Sequence, residues 1–161
     1  LTIAIEIGLL LALVLFMKRM SEVTHITVAK DQLDLSNEGE IYHEEEKLIV
    51  PQGVEVYEID GPFFFGVANK FDECMKTIGD KPRIRIIRMC KVPLMDPTGL
   101  HNLESLYRLS TKEKIQVILS GVNEQVRATL VKSSFARTIG EENICSNIHE
   151  ALKRAEVCLK S

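Results

Sequence analysis

With 161 residues, 45% of them hydrophobic and 27% charged, the chain has the length for one ordinary domain with its own core. A net charge of −3 and a sequence pI of about 5.9 exclude a general electrostatic affinity for nucleic acid. Four cysteines, Cys74, Cys90, Cys145 and Cys158, form no CxxC pair and are expected to be free, mostly buried thiols of a reducing compartment.

Residues 1–17 are apolar apart from Thr2, Glu6 and Gly8, and the run ends sharply at Lys18-Arg19. At ~1.5 Å per residue it reaches ~25 Å as a helix, slightly short of the ~30 Å hydrocarbon core of a bilayer. Because the positive charges follow the apolar run, a secretory signal is disfavoured. By the positive-inside rule, Lys18 and Arg19 put the residues after them in the cytoplasm. Opening on Leu1 rather than Met, the chain is expected to continue upstream. The competing reading, a buried helix over residues 7–17, lacks the polar face such a helix normally keeps.

Residues 21–30 read as a connector leading into a strand centred on His25-Ile26-Thr27-Val28. Residues 31–46 then carry seven acids and no Lys or Arg, and the default reading is a solvated loop or hairpin insertion. Taking those seven from the 23 acids leaves 16 against 20 basic residues, so the rest of the chain is mildly basic. His43 has no second ligand at a metal-binding spacing.

Leu48-Ile49-Val50 and Val54 to Ile59 are strand-like, with turn chemistry at Pro51-Gln52-Gly53 between them. Phe63-Phe64-Phe65 is explained most cheaply by core packing. Phe71, Cys74, Met75 and Ile78 mark the buried face of a helix that stops at Gly79. A strand over residues 83–89 follows, and a helix with Leu100, Leu103, Leu106, Tyr107 and Ser110 on one side.

Between that strand and helix, Asp96 suits an N-cap and Pro97 the first helical position. The donors of Thr98 and Gly99 then point out of the helix start, where partial positive charge favours an anion and Gly99 leaves room for it. Two readings stand: an ordinary capped turn, or a turn that binds an anion or presents Thr98 as a phosphoacceptor. A phosphate there would gain from the helix dipole and be repelled by Asp96.

Strand then helix repeats. Residues 114–120 end at Gly121, Asn123 caps a helix carrying Val126 and Leu130, and Asn143-Ile144-Cys145 is a short edge strand. Asn147 with Glu150 can form a capping box for a last helix with Ile148, Ala151, Leu152, Ala155 and Leu159. Strands alternating with helices after an opening hairpin imply an α/β domain with a mixed sheet packed by about four helices, preceded by an apolar N-terminal helix. No nucleophile, base and orienter occur together, so no catalytic residue, cofactor or metal is expected.

Four stretches in order, Gly8-Leu9-Leu10-Leu11-Ala12-Leu13 through Phe16-Met17-Lys18-Arg19-Met20, Gly61-Pro62-Phe63-Phe64-Phe65-Gly66, Arg88-Met89-Cys90-Lys91-Val92-Pro93 through Asp96-Pro97-Thr98-Gly99-Leu100, and Gly121-Val122-Asn123, resemble the cytoplasmic STAS domain of bacterial SulP anion permeases. The resemblance implies a STAS-like fold, with residues 1–20 the end of a last transmembrane helix, 21–47 a linker and acidic insertion, and 48–161 the cytoplasmic domain. It implies a regulatory or assembly module of a secondary transporter for sulfate, bicarbonate or dicarboxylates, in the inner membrane, with residues 21–161 in the cytoplasm. The implied partners are its own upstream membrane domain, a second copy in a homodimer, a cytoplasmic regulatory protein and an inorganic anion carried by the membrane domain. In stand-alone anti-sigma factor antagonists of this fold a serine before the turn's glycine is phosphorylated, and Thr98 holds that position. The alternatives are a phospho-switched binding protein of that antagonist type and a small-anion or nucleotide sensor.

Overall fold

The computed structural model describes residues 2–23, 25–29, 32–33, 48–61, 63 and 81–160. A helix α1 (Thr2–Val23) runs to a strand β1 (His25–Ala29), and two short strands, β2 (Gln32–Leu33) and β3 (Leu48–Ile49), come next. Strands β4 (Val54–Asp60) and β5 (Ile84–Lys91) follow, then helix α2 (Pro97–Lys112), β6 (Gln116–Ser120), helices α3 (Glu124–Lys132) and α4 (Phe135–Ile139), β7 (Ile144–Cys145) and helix α5 (Ile148–Lys160). The helix expected over Phe71 to Gly79 and most of the acidic segment lie outside the described residues.

The main sheet has the order β1-β4-β5-β6-β7. Strands β4 to β7 are parallel, and β1 joins the β4 edge antiparallel, with His25 opposite Asp60 and Ala29 opposite Val56. The sheet is therefore mixed, as the sequence implied. The opening hairpin is corrected: Leu48–Ile49 pairs with Gln32–Leu33 in a separate two-stranded sheet. Its place beside β4 is taken by β1, whose five paired residues outbid a two-residue strand. The sheet thus begins at His25, upstream of the boundary at residue 48.

Period-2 alternation sends the side chains of each strand to two covered faces. On one, Tyr57, Ile59, Ile87, Met89, Val117 and Leu119 pack with Leu103 and Leu106 of α2, Val126 and Leu130 of α3, and Phe135 and Ile139 of α4. On the other, Val54, Val56, Ile84, Ile86 and Ile118 pack with Ile148, Ala151, Leu152 and Ala155 of α5. Burial on both sides explains why β4 and β5 read as near-continuous apolar runs rather than clean alternations. Helix α4, absent from the sequence reading, is pinned by Tyr107, whose ring meets Phe135 edge-on at 5.6 Å and whose hydroxyl donates to the Thr138 carbonyl at 3.0 Å. The last helix is capped by Asn147 Oδ1, which accepts the Glu150 N–H at 2.9 Å. The return contact of the box falls one residue earlier than expected, Glu150 Oε2 accepting from the Ser146 N–H and hydroxyl at 3.0 and 2.6 Å.

Charged residues intrude into the first core. Arg85 is only 3% exposed. Its Nη1 donates to Ser110 Oγ at 2.6 Å, and its guanidinium lies 5.2 Å from the centre of the Tyr57 ring. The Tyr57 hydroxyl in turn donates to Oε2 of buried Glu55 at 2.9 Å. Burial pushes the Tyr57 phenol up to about 12, opposed by the Arg85 charge and reinforced by the bond to Glu55. An unfolded tyrosine ionises near 10, so the fold favours the neutral phenol. Its contribution is complete below pH ~10 and is lost as the pH rises toward ~12. Urea midpoints measured across that window should fall steeply, and Tyr57→Phe should flatten the fall.

Helix α1 is unlike the other helices. Ten large apolar side chains between Ile3 and Phe16 stand 52% to 70% exposed. Consecutive residues such as Leu9, Leu10 and Leu11 are all uncovered, so the helix is apolar all round rather than on one stripe. Among the described residues no helix is long and apolar enough to cross a membrane. In α1, Glu6, Lys18 and Arg19 break the run.

Candidate functional site

Parallel strands β4, β5 and β6 all end at the same edge of the sheet, and in open α/β sheets ligands and partners meet the loops beyond the carboxyl ends of the strands. Here those loops are Val92 to Asp96, leading into α2, and Gly121 to Asn123, leading into α3. Asp96 is the N-cap of α2, its Oδ1 accepting the Gly99 N–H at 2.6 Å with Pro97 at the first helical position. Asn123 caps α3, its Oδ1 accepting the Val126 N–H at 2.8 Å. Its Nδ2 donates to the carbonyls of Val92 and Pro93 at 2.8 and 3.3 Å, so one side chain starts a helix and fastens the neighbouring loop. Gly121 sits at φ +67 with its missing Cβ position 2.9 Å from Cβ of Cys90, which explains the glycine.

Thr98 is exposed on the first turn of α2 and Gly99 is buried. The reason for Gly99 differs from the one the sequence offered. Its N–H is taken by Asp96 rather than presented to an incoming anion. The space a side chain would fill is occupied by the Phe63 carbonyl. Phe63 itself is buried, forms a parallel bridge with Met95 and donates its N–H to the Leu94 carbonyl at 3.4 Å. The turn is thus a packed junction with one exposed hydroxyl. Replacing the cap by Asp96→Ala should cost about 1 kcal/mol, and Asp96→Asn or Asp96→Ser much less, read from urea denaturation.

Beside the turn lies an ion cluster that the sequence did not announce. Glu58 receives Nη1 of Arg88 at 3.2 Å and Nζ of Lys91 at 2.7 Å. Arg88 is 2% exposed, and burial pulls its guanidinium below its ordinary value. Hydrogen bonding to Glu58 raises the Lys91 ammonium. These pairs tie the ends of β4 and β5 just before the turn. The one signal available was the spacing of Arg88 and Lys91 at the end of an apolar strand, which reads equally well as solvated charge.

Of the cysteines, Cys145 is buried, Cys158 half-buried and Cys90 exposed, and Cys74 lies outside the described residues. Cys90 is the exposed one among the described cysteines, standing next to the end of β5. Burial raises the Cys145 thiol, which also feels Glu150. Among the described residues no group of three His, Cys, Asp or Glu is placed to hold a metal ion.

A mixed sheet with helices on both faces and an asparagine-fastened turn at the carboxyl ends of its strands defines an open α/β domain. The profile described as STAS domain matches residues 47–151, and the chain belongs to that family. A solved sulfate transporter family protein from Wolinella succinogenes is 37% identical with a TM-score of 0.67, covering 71% of this chain and 93% of that one. The SulP transporter STAS domain from Vibrio cholerae is 36% identical with a TM-score of 0.62, covering 68% and 86%. An anti-sigma factor antagonist from Mycobacterium paratuberculosis, 17% identical with a TM-score of 0.54, shares the fold. Among curated relatives, the putative sulfate transporter YvdB of Bacillus subtilis is 27% identical over 144 residues, covering 89% of this chain and 25% of the relative. Sulfate transporter 1.1 of Arabidopsis thaliana is 30% identical over 165 residues, covering 93% and 25%. The chain spans about a quarter of the length of the curated relatives it matches.

Proposed function

We propose that the chain is the cytoplasmic regulatory and assembly domain of a SulP-type secondary anion transporter, with α1 the end of the last transmembrane helix. The observation that carries this is α1 itself, a helix uncovered and apolar on every side that leads into a STAS domain. Water disfavours such a surface by ~25 cal/mol per Å², and lipid removes that cost. Sulfate-transporter relatives that extend far beyond this chain support the same reading. On it, residues 21–161 lie in the cytoplasm, residues 1–20 meet the inner membrane, and the upstream membrane domain carries the substrate. That substrate is an anion of the sulfate, bicarbonate or dicarboxylate class, and the full-length protein pairs as a homodimer. Uptake of labelled sulfate, bicarbonate and succinate into proteoliposomes holding the full-length protein tests this, and failure of all three to exceed empty vesicles sinks the transporter reading.

Exposure of Thr98 on the first turn of α2 favours a second, compatible reading in which a kinase partner reaches that hydroxyl. Phosphate there gains from the helix dipole and is opposed by Asp96, so its effect is a change of surface charge at the turn. Intact-mass and peptide mass spectrometry of the protein from its source cells tests it, and Thr98 without phosphate under all growth conditions removes it.

A further inference from the structure

Parallel strands β4, β5 and β6 begin at one edge of the sheet, opposite the edge that carries the turn. Backbone hydrogen bonds mark this amino-terminal edge. The Arg83 and Ile84 N–H groups donate to the Gly53 carbonyl at 2.8 and 3.1 Å, and the Gln116 N–H donates to the Arg83 carbonyl at 3.0 Å. Two helices end here as well. Lys81 Nζ meets Glu113 at 3.2 Å just past the end of α2, and Arg83 Nη1 donates to the Leu159 carbonyl at 3.3 Å in the last turn of α5. The topology thus gathers Lys81, Arg83, Lys112, Lys114 and Lys160 on one edge, all five exposed. Helix C-termini favour basic residues, which accounts for Lys112 and Lys160 but not for the other three. The exposed acids beside them are Glu113, which Lys81 engages, and Glu156, one turn back on α5. Glu55 is buried and accepts from the Tyr57 hydroxyl. Five basic groups against two exposed acids leave a surplus of positive charge.

The chain carries the opposite charge close by. Residues 34–46 hold Asp34, Glu38, Glu40, Glu44, Glu45 and Glu46 and no Lys or Arg. The residues that bracket this segment, Leu33 and Leu48, are partners in the pairing of β2 with β3. Val50 is buried in the core under α5, and the turn after it, in which the Pro51 carbonyl accepts the Val54 N–H at 3.0 Å, leads into the start of β4. Upstream, β1 ends at Ala29 opposite Val56, so both ends of the segment are tied near the amino-terminal edge. A chain of 14 residues, 34–47, spans roughly 20 Å. Three strands spaced ~4.8 Å apart are narrower than that.

We propose that the acidic segment 34–46 docks by charge on the amino-terminal edge of its own chain, with Lys81, Lys112, Lys114 and Lys160 as the amines that receive it. A single exposed ion pair is weak, but the tether raises the segment's effective concentration at the edge to roughly the millimolar range, and several pairs form together. The contact is screened by salt. It does not depend on the transporter reading.

The test is zero-length crosslinking of the 161-residue chain in detergent micelles with a water-soluble carbodiimide, which joins a carboxylate to an amine as an amide, followed by peptide mass spectrometry. An equal mixture of nitrogen-15-labelled and unlabelled protein separates links within a chain from links between chains. The Lys81–Glu113 pair is the internal control. Links within one chain from residues 34–46 to Lys81, Lys112, Lys114 or Lys160 are expected at ~20 mM salt, falling at least about threefold at ~500 mM. Links to Lys18, Lys132 or Lys153 at the same frequency, or none from the segment while the control forms, overturn the proposal. Mixed-isotope links would put the segment on a second copy and overturn it too. Independently, a fluorescent peptide of residues 31–46 should bind a chain whose six acids in 34–46 are replaced by Asn or Gln at least about fivefold more tightly than the unmodified chain, because the tethered competitor is gone. Equal affinity for the two chains contradicts the docking.

Discussion

Gly99→Ala is expected to destabilise the domain by about 3 kcal/mol, the upper end of the usual cost of overpacking. Two effects oppose each other at this position. In a helix, alanine is favoured over glycine by ~1 kcal/mol. Against that, the new methyl would land on the Phe63 carbonyl and within 2.9 Å of the Phe63 carbonyl carbon and ring. These are largely main-chain atoms, which cannot rotate aside as a long side chain would. Relief requires Phe63 to move, and Phe63 is a buried member of the core beneath α2 and bridges Met95. The clash therefore outweighs the propensity gain. Thr98→Ala, one residue away and exposed, is the control and should change stability by no more than ~0.5 kcal/mol. A urea midpoint for Gly99→Ala equal to or above that of the unmodified protein would show that the turn is not packed as described.

The second large effect is at Arg85. Its guanidinium is buried between Ser110 and the Tyr57 ring, and Glu55 is its register partner on β4. Arg85→Ala removes the donor to Ser110 and leaves the buried Glu55 carboxylate without the nearby cation. Loss of one member of a buried charged group typically costs ~3–5 kcal/mol, because the other charge stays behind out of water. Replacing both, as Glu55→Gln with Arg85→Met, should recover much of that loss, since an uncharged packed pair needs no compensation. A double-mutant cycle in urea checks it. Additive losses would mean that the two charges do not sense each other.

These two positions also mark what can and cannot be read from a sequence. The alternation of strands and helices was legible because its signals are local: apolar runs of strand length, Asp96-Pro97 and Asn123 as helix starts, Gly53 and Gly121 at turns. The cap at Asp96 and the edge strand at Ile144-Cys145 followed the same logic and stand where expected. What was not legible depends on residues far apart in the chain. Nothing in the sequence around Gly99 says that the Phe63 carbonyl, 36 positions earlier, fills the space beside it. Strands containing Glu55, or Arg85 and Arg88, suggest solvent-facing charge until the partners on neighbouring strands and on α2 are known. The mate of Leu48-Ile49 was mistaken because Pro51-Gln52-Gly53 has the chemistry of a hairpin turn, and only the longer pairing of β1 with β4 decides the competition. Helix α4 was missed because five residues carry too little periodicity to register, although Phe135, Ala136 and Ile139 share a buried face.

For the candidate site, the sequence located the turn and left open an ordinary cap or an anion site, and the structure adds the close approach of Phe63 to its glycine. The Gly99 donor is spent on Asp96, so an anion at this point would meet a carboxylate first. The structure leaves the Thr98 hydroxyl exposed, as the proposed modification requires.

The measurement that bears most directly on attachment to a membrane protein is an immunoblot of fractionated source cells, with an antibody raised against residues 48–161 and the membrane pellet washed at alkaline pH. A wash-resistant membrane band several times heavier than 18.2 kDa is expected. A soluble band near 18.2 kDa, absent from the pellet, would contradict it.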